Sequence, residues 1–140
     1  MTATASTSER GVGRGLFAIV VAAVVWTVLA TVMNVAVRYA WSDYAAVERS
    51  MEFTLPMLLL RLAFGVIASF AAGWAGARVA PNARVPMYIF AAVLVGLFLP
   101  VHIALWARFP AWYHLFFLLS LVAFTWLGAR TAQNMISRPS

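Results

Sequence analysis

The sequence contains no cysteine, which excludes disulfide bonds, iron–sulfur ligation, thiolate metal sites and cysteine nucleophiles. Charge is also scarce, at 10% of the residues, and all ten basic residues are arginines that stand singly along the chain. A nucleic-acid-binding surface would need a basic cluster, so nucleic acid is not an expected partner. The sequence also lacks a phosphate-binding loop, a dinucleotide fingerprint and a nucleophile elbow, which weighs against an enzyme.

Apolar residues dominate what is present. They make up 64% of the chain, against roughly 45–50% in soluble domains, so a soluble core could not absorb them. A helix needs about 20 apolar residues to cross a bilayer. Four stretches reach that length, at about residues 15–37, 55–77, 87–107 and 111–129. We therefore predict an all-α polytopic membrane protein with a four-transmembrane-helix bundle in residues 15–132.

The distribution of arginines predicts the orientation of the bundle. With the N-terminus inside, the cytoplasmic side carries six arginines and the outer side three. Cytoplasmic loops are usually the more basic ones, so we expect both termini in the cytoplasm of a cell inner membrane or plasma membrane. Residues 1–14, rich in Ser, Thr, Ala and Gly, are then a flexible cytoplasmic tail, and residues 133–140 are a second tail.

The pattern W-x-G-A-R occurs twice, at Trp74–Arg78 and at Trp126–Arg130, near the predicted cytoplasmic ends of the second and fourth spans. Each copy combines an interfacial tryptophan, a small pair and an arginine able to reach the headgroups. This echo predicts either two repeated helical hairpins or two unrelated helices that meet the same interface.

Small residues recur every fourth position in the second span, which predicts a helix-packing face at Gly65, Ser69, Gly73 and Ala77. Helix association in lipid depends on close packing, and small side chains allow it. The partner helix is expected either within the chain or in another membrane protein subunit, including a second copy of this one.

Polar residues inside the apolar spans are costly and are therefore candidates for function. Each span contributes one candidate near the predicted outer side, and together they predict an outward-facing polar pocket formed by Asn34, Arg61, His102 and His114. The loop between the first two spans supplies two possible counter-charges for the arginine, Glu48 and Glu52.

Each member of this predicted pocket also has a simpler structural role. Arg61 could reach the headgroups by itself, and His114 lies beside aromatic residues that favour the interface. His102 follows Pro100 by two residues and could donate to a carbonyl that the proline frees, while Asn34 could bond between helices. No cofactor and no metal are predicted, although His102 and His114 could ligate haem from both faces, a less favoured alternative.

Three segments carry a resemblance: the W-x-G-A-R end of the second span, the R-F-P-A-W-Y-H turn at residues 108–114, and the closing L-G-A-R at residues 127–130. With them, residues 15–132 weakly resemble small uncharacterised bacterial four-helix integral membrane proteins. That resemblance implies the four-helix fold and carries no activity.

Two functions from different classes follow. The favoured one is an accessory or assembly subunit that acts through helix packing, since the packing face is prominent and intramembrane chemistry is sparse. The alternative is a transporter or binding protein for a small anionic solute, which would use the polar pocket around Arg61.

Overall fold

The computed structural model describes residues 3–80, 82 and 84–137. It contains five helices in these residues: α1 (Ala3–Ala40), α2 (Ser42–Val47), α3 (Leu55–Val79), α4 (Arg84–Ala104) and α5 (Ala111–Ile136). Helices α1, α3, α4 and α5 are each long and apolar enough to cross a membrane. The predicted all-α bundle of four apolar helices is confirmed, and no strand occurs in the described part of the chain.

Helix ends follow the local chemistry of proline and of the turns. Pro56 lies in the first turn of α3 and Pro110 is the N-cap of α5, positions where a missing N–H is harmless. Helix α4 runs through Pro100 and ends at Ala104, three residues before the predicted end of the third span at Ala107.

The termini are helical over most of their described length. Helix α1 begins at Ala3, within the segment that we interpret as a flexible tail, and α5 extends to Ile136. Residues 1–2 and 138–140 of the two predicted tails lie outside the described residues. Their flexibility and their cytoplasmic location stay predictions.

The four long helices alternate in direction. Helices α1 and α4 run towards the end of the bundle that carries α2, here termed the α2 end, whereas α3 and α5 start there and run to the opposite, terminal end. Helix α3 packs most extensively against α5 and next against α1, while α4 packs against α5 and α1 and only slightly against α3. Consecutive helices α3 and α4 therefore lie diagonally across the bundle.

The interface of α3 with α5 depends on two glycines. A Cβ atom on Gly73 would overlap the carbonyl group of Thr125, and one on Gly128 would overlap that of Phe70. Since backbone atoms cannot be displaced as a flexible side chain can, only glycine fits at these two contacts. The predicted packing face of α3 therefore contacts another helix of the same chain.

All four residues of the predicted packing face are buried in the structure: Gly65, Ser69, Gly73 and Ala77. Gly65 lies against the ring of Phe117 in α5. Ser69 accepts a hydrogen bond of 3.2 Å from the indole nitrogen of Trp26 in α1. One face of α3 thus serves both of its neighbours.

The two copies of W-x-G-A-R have the same local structure. The guanidinium carbon of Arg78 lies 5.2 Å from the ring centroid of Trp74, and that of Arg130 lies 5.1 Å from the ring centroid of Trp126. Because α3 and α5 run parallel, both pairs lie at the terminal end. An origin of the two copies by duplication of a helical hairpin stays a prediction.

The outer surface of α1 carries a row of exposed apolar side chains in the middle of the helix. Val20, Val24, Val28 and Val32, one per turn, are each 53–57% exposed outside the bundle. A row of valines so exposed is suited to lipid rather than to water. The chain is accordingly treated as a multi-pass membrane protein.

Candidate functional site

The link between α1 and α3 forms a cover over the α2 end. Its helix α2 has Trp41 as N-cap, and Tyr44 is fully buried against Val37 and Met57. A buried tyrosine usually needs a partner for its hydroxyl group. That partner is Arg61 of α3.

Arg61 is the centre of the polar residues at this end. Its Nη1 donates to the hydroxyl of Tyr44 at 2.8 Å, its Nε donates to the hydroxyl of Tyr113 at 3.4 Å, and its Cζ lies 4.7 Å from the ring centroid of Phe53. The side chain is partly buried. All three partners are formally neutral, so they orient the guanidinium without cancelling its charge.

The two acidic residues proposed as counter-charges lie elsewhere. Glu48 accepts two hydrogen bonds from Arg38, of 2.7 and 3.1 Å, in an ion pair at the surface. Glu52 is exposed. Within residues 11–80, 82 and 84–137, no carboxylate lies within ion-pair distance of Arg61.

Asn34 lies level with Arg61. Trp26 of α1 bonds Ser69 of α3, and the two helices are antiparallel. The residue eight positions after Trp26 is Asn34, and it therefore faces Arg61, which lies eight positions before Ser69. The amide nitrogen of Asn34 donates to the carbonyl of Ala30 at 2.8 Å, a bond within its own helix. Its expected alternative role as a bond between helices is not seen in the described structure.

Arg61 and Asn34 open onto one cleft of about 360 Å³. Helix α1 forms one wall and α3 the other, and Tyr113 and Phe117 of α5 lie at the back. Helix α4 contributes only Phe98. We refer to this space as the Arg61 cleft.

The two histidines form a separate pair beside the Arg61 cleft. Their Nδ1 atoms are 2.7 Å apart, so one ring donates a hydrogen bond to the other. His114 is fully buried, His102 is 6% exposed, and the Nε2 atom of His114 has no partner in the described structure. The ring of His102 stacks on Tyr113 and Phe117, the two residues at the back of the cleft.

This pair does not fit haem. A metal ion between two imidazole nitrogens would separate them by about 4 Å, twice the usual metal–nitrogen distance of about 2 Å. At 2.7 Å the two nitrogens are in direct hydrogen-bond contact, with no space for a porphyrin between the rings.

The structure therefore divides the four predicted pocket residues into two neighbouring groups. Arg61 and Asn34 line the cleft, and His102 and His114 lie behind Tyr113 and Phe117. The residues missed as direct partners of Arg61 are Tyr44 and Tyr113. Their presence at the same predicted end was visible in the sequence, but the bonds depend on how α2 folds back.

A second cavity, of about 550 Å³, lies between α4 and α5 at the terminal end, and it was not foreseen from the sequence. Arg84 and Arg130 line it, and both are exposed. Exposed arginines are largely neutralised by solvent and counter-ions. The Arg61 cleft is the site where a partly buried cation lies without an acidic partner, so it is the stronger candidate.

Comparison of the chain with protein-family models, with curated proteins and with solved structures gave no match.

Proposed function

We propose that this membrane protein binds a small anionic solute at Arg61. The observation that supports the proposal is the uncompensated charge of a partly buried guanidinium that opens onto a cleft. Charge of this kind within a membrane protein is costly unless it is paired. An anion in the Arg61 cleft would supply the missing pair.

The hydrogen-bonding groups around Arg61 suit an oxyanion. A guanidinium has five N–H donors, two of which bond tyrosine hydroxyls here, so three remain. Both tyrosine oxygens accept from Arg61, so the hydroxyl hydrogens of Tyr44 and Tyr113 remain free to donate. An anion bound at this point could receive charge-assisted bonds from the arginine and ordinary ones from the tyrosines.

We expect inorganic phosphate to stabilise the detergent-purified protein through Arg61. Binding at a hundredfold excess over the dissociation constant adds about 2.7 kcal/mol, which raises the Tm by several degrees. Arg61→Gln should abolish this rise. Arg49→Gln is the matched control, because it removes an exposed positive charge from the link over the same end without touching the cleft. An equal rise in wild type and Arg61→Gln would contradict the proposal.

The α2 end is proposed to face outwards, with both termini in the cytoplasm, as the arginine distribution predicts. Because the chain has no cysteine, single introduced cysteines can be labelled without background. Ser42 and Asn134 are both exposed, at opposite ends of the bundle. On intact cells, an impermeant maleimide should label Ser42→Cys and label Asn134→Cys only after the membrane is opened. The reverse pattern would invert the proposed orientation.

The role of accessory or assembly subunit stays a prediction. Its main support in the sequence is the small-residue face of α3, which packs against α5 and α1 within the chain. That face is therefore not available to a partner, and the geometry supports the anion site better. Purification from native membranes in mild detergent tests the accessory role, which requires a stoichiometric second protein.

A further inference from the structure

The Arg61 cleft is elongated along the bundle. The residues of α1 that line it extend from Trp26 to Arg38, twelve positions, or about 18 Å of helix. One leaflet of the hydrocarbon core is about 15 Å thick. The cleft therefore runs along the membrane normal for about the depth of one leaflet.

Polarity changes along this length. Arg38, Asn34 and Arg61 lie towards the α2 end, and the rings of Trp26, Phe98 and Phe117 lie deeper. Ring centroids in the deep part are 5.2 Å apart for Trp26 and Phe98 and 5.3 Å for Phe98 and Phe117, so the aromatic floor is continuous. A charged head and an apolar tail would match this order.

The side of the cleft is open. Thr31 and Val35 line it and are exposed at the surface of α1, and α4 closes it only through Phe98. In a bilayer the surface of α1 at this depth faces lipid rather than water. A molecule already in the leaflet can therefore enter sideways.

We propose that the anion bound at Arg61 is the phosphate of an anionic phospholipid, whose acyl chain lies along the aromatic floor. This inference rests on the proposed anion site and names its ligand. Arg61 is six residues inside α3, about 9 Å from the helix start, and its guanidinium is directed back to Tyr44 in the surface helix α2. Its charged group thus lies near headgroup depth.

The charges around the cleft select the headgroup. Arg38 is already paired with Glu48, so Arg61 supplies a net charge of about one, which matches one phosphodiester. A choline or ethanolamine group would need an acidic partner as well, and the described residues that line the cleft include no carboxylate. Phosphatidylglycerol therefore fits better than phosphatidylcholine.

The test is lipid retention in native mass spectrometry after release from nanodiscs of equal phosphatidylglycerol and phosphatidylcholine. Wild type should retain phosphatidylglycerol about tenfold over phosphatidylcholine. Both lipids offer Arg61 the same phosphodiester, but the choline cation would lie close to the charge of Arg61, and repulsion between like charges at such a distance is large enough for this ratio. Arg61→Gln should reduce the ratio to about one, and Arg49→Gln should leave it unchanged.

A second variant separates the acyl chain from the headgroup. Thr31→Trp fills the side of the cleft and leaves Arg61 in place, whereas Val32→Trp adds the same bulk on the lipid-facing surface of α1. We expect Thr31→Trp to lose the preference for phosphatidylglycerol but to keep its stabilisation by inorganic phosphate. Its gel-filtration volume should equal that of wild type, because the bundle stays folded. Val32→Trp should keep both.

The outcomes distinguish the two proposals. Suppose that inorganic phosphate stabilises the protein through Arg61. If wild type then shows no preference for phosphatidylglycerol, or if Thr31→Trp keeps the full preference, the lipid ligand is overturned and a site for a soluble anion is left. A protein that neither responds to inorganic phosphate nor prefers phosphatidylglycerol would overturn both.

Discussion

Gly73→Leu is expected to lower the free energy of unfolding by about 3 kcal/mol or more, the largest loss that we anticipate for one substitution. Even the Cβ atom would overlap the carbonyl of Thr125, so α3 and α5 would have to separate along much of their interface. Helices in lipid are held together mainly by close packing, and separation removes these contacts without any gain in apolar burial. Unfolding in mixed micelles, followed by circular dichroism, measures the loss.

Gly96→Leu is the matched control for this substitution. Gly96 lies in the middle of α4, and a Cβ there would have no atom within 4 Å. The added side chain would extend into lipid, and loss of a helical glycine favours the helix by about 1 kcal/mol. A loss in Gly96→Leu as large as in Gly73→Leu would show that glycine itself, and not the contact with Thr125, matters.

The pair of buried histidines should give the second large effect. His102→Phe removes the partner of the His114 Nδ1 atom and leaves both nitrogens of a fully buried ring without a hydrogen bond. Leaving a buried polar group unpaired costs about 1–3 kcal/mol. We expect the free energy of unfolding to fall by about 2 kcal/mol.

The double variant His102→Phe/His114→Phe should recover most of that loss, since no unpaired nitrogen remains in the aromatic cluster. Ser120→Ala is the control, because it removes a buried local bond to the carbonyl of Phe117 and leaves no side chain unpaired. Its cost should be about 1 kcal/mol or less. Additive losses in the double variant would mean that the histidines do not stabilise each other.

The fold was predictable from the sequence because hydrophobic length is a local property. Runs of about 20 apolar residues require helices in a bilayer, and Pro56 and Pro110 mark where two of them begin. The α3 packing face was also visible as a spacing of four. Its partner was not, because a small-residue face fits a helix of the same chain or of another equally well.

The candidate site was predictable only as a set of residues at one depth. The position of a residue within its span and the rise of a helix together give its depth. They place Asn34, Arg61, His102 and His114 near the same end of the bundle. Which of them share a cleft depends on helix rotation and on the neighbours of each helix, which no local pattern specifies. The bond from Arg61 to Tyr44 depends further on the fold of a link whose Met51 takes a positive φ of 58°, a rare conformation for methionine.

The diagonal placement of α3 and α4 has a consequence for biogenesis. The ribosome delivers the helices in chain order, yet α3 meets its main partner only when α5, the last of the five described helices, has entered the membrane. Until then α1 can cover part of the α3 packing face, but Gly65 and Gly73, which lie against α5 in the finished bundle, meet lipid tails instead. Assembly of the bundle therefore awaits the insertion of α5, and the Arg61 cleft, closed at the back by Tyr113 and Phe117, is completed at the same moment.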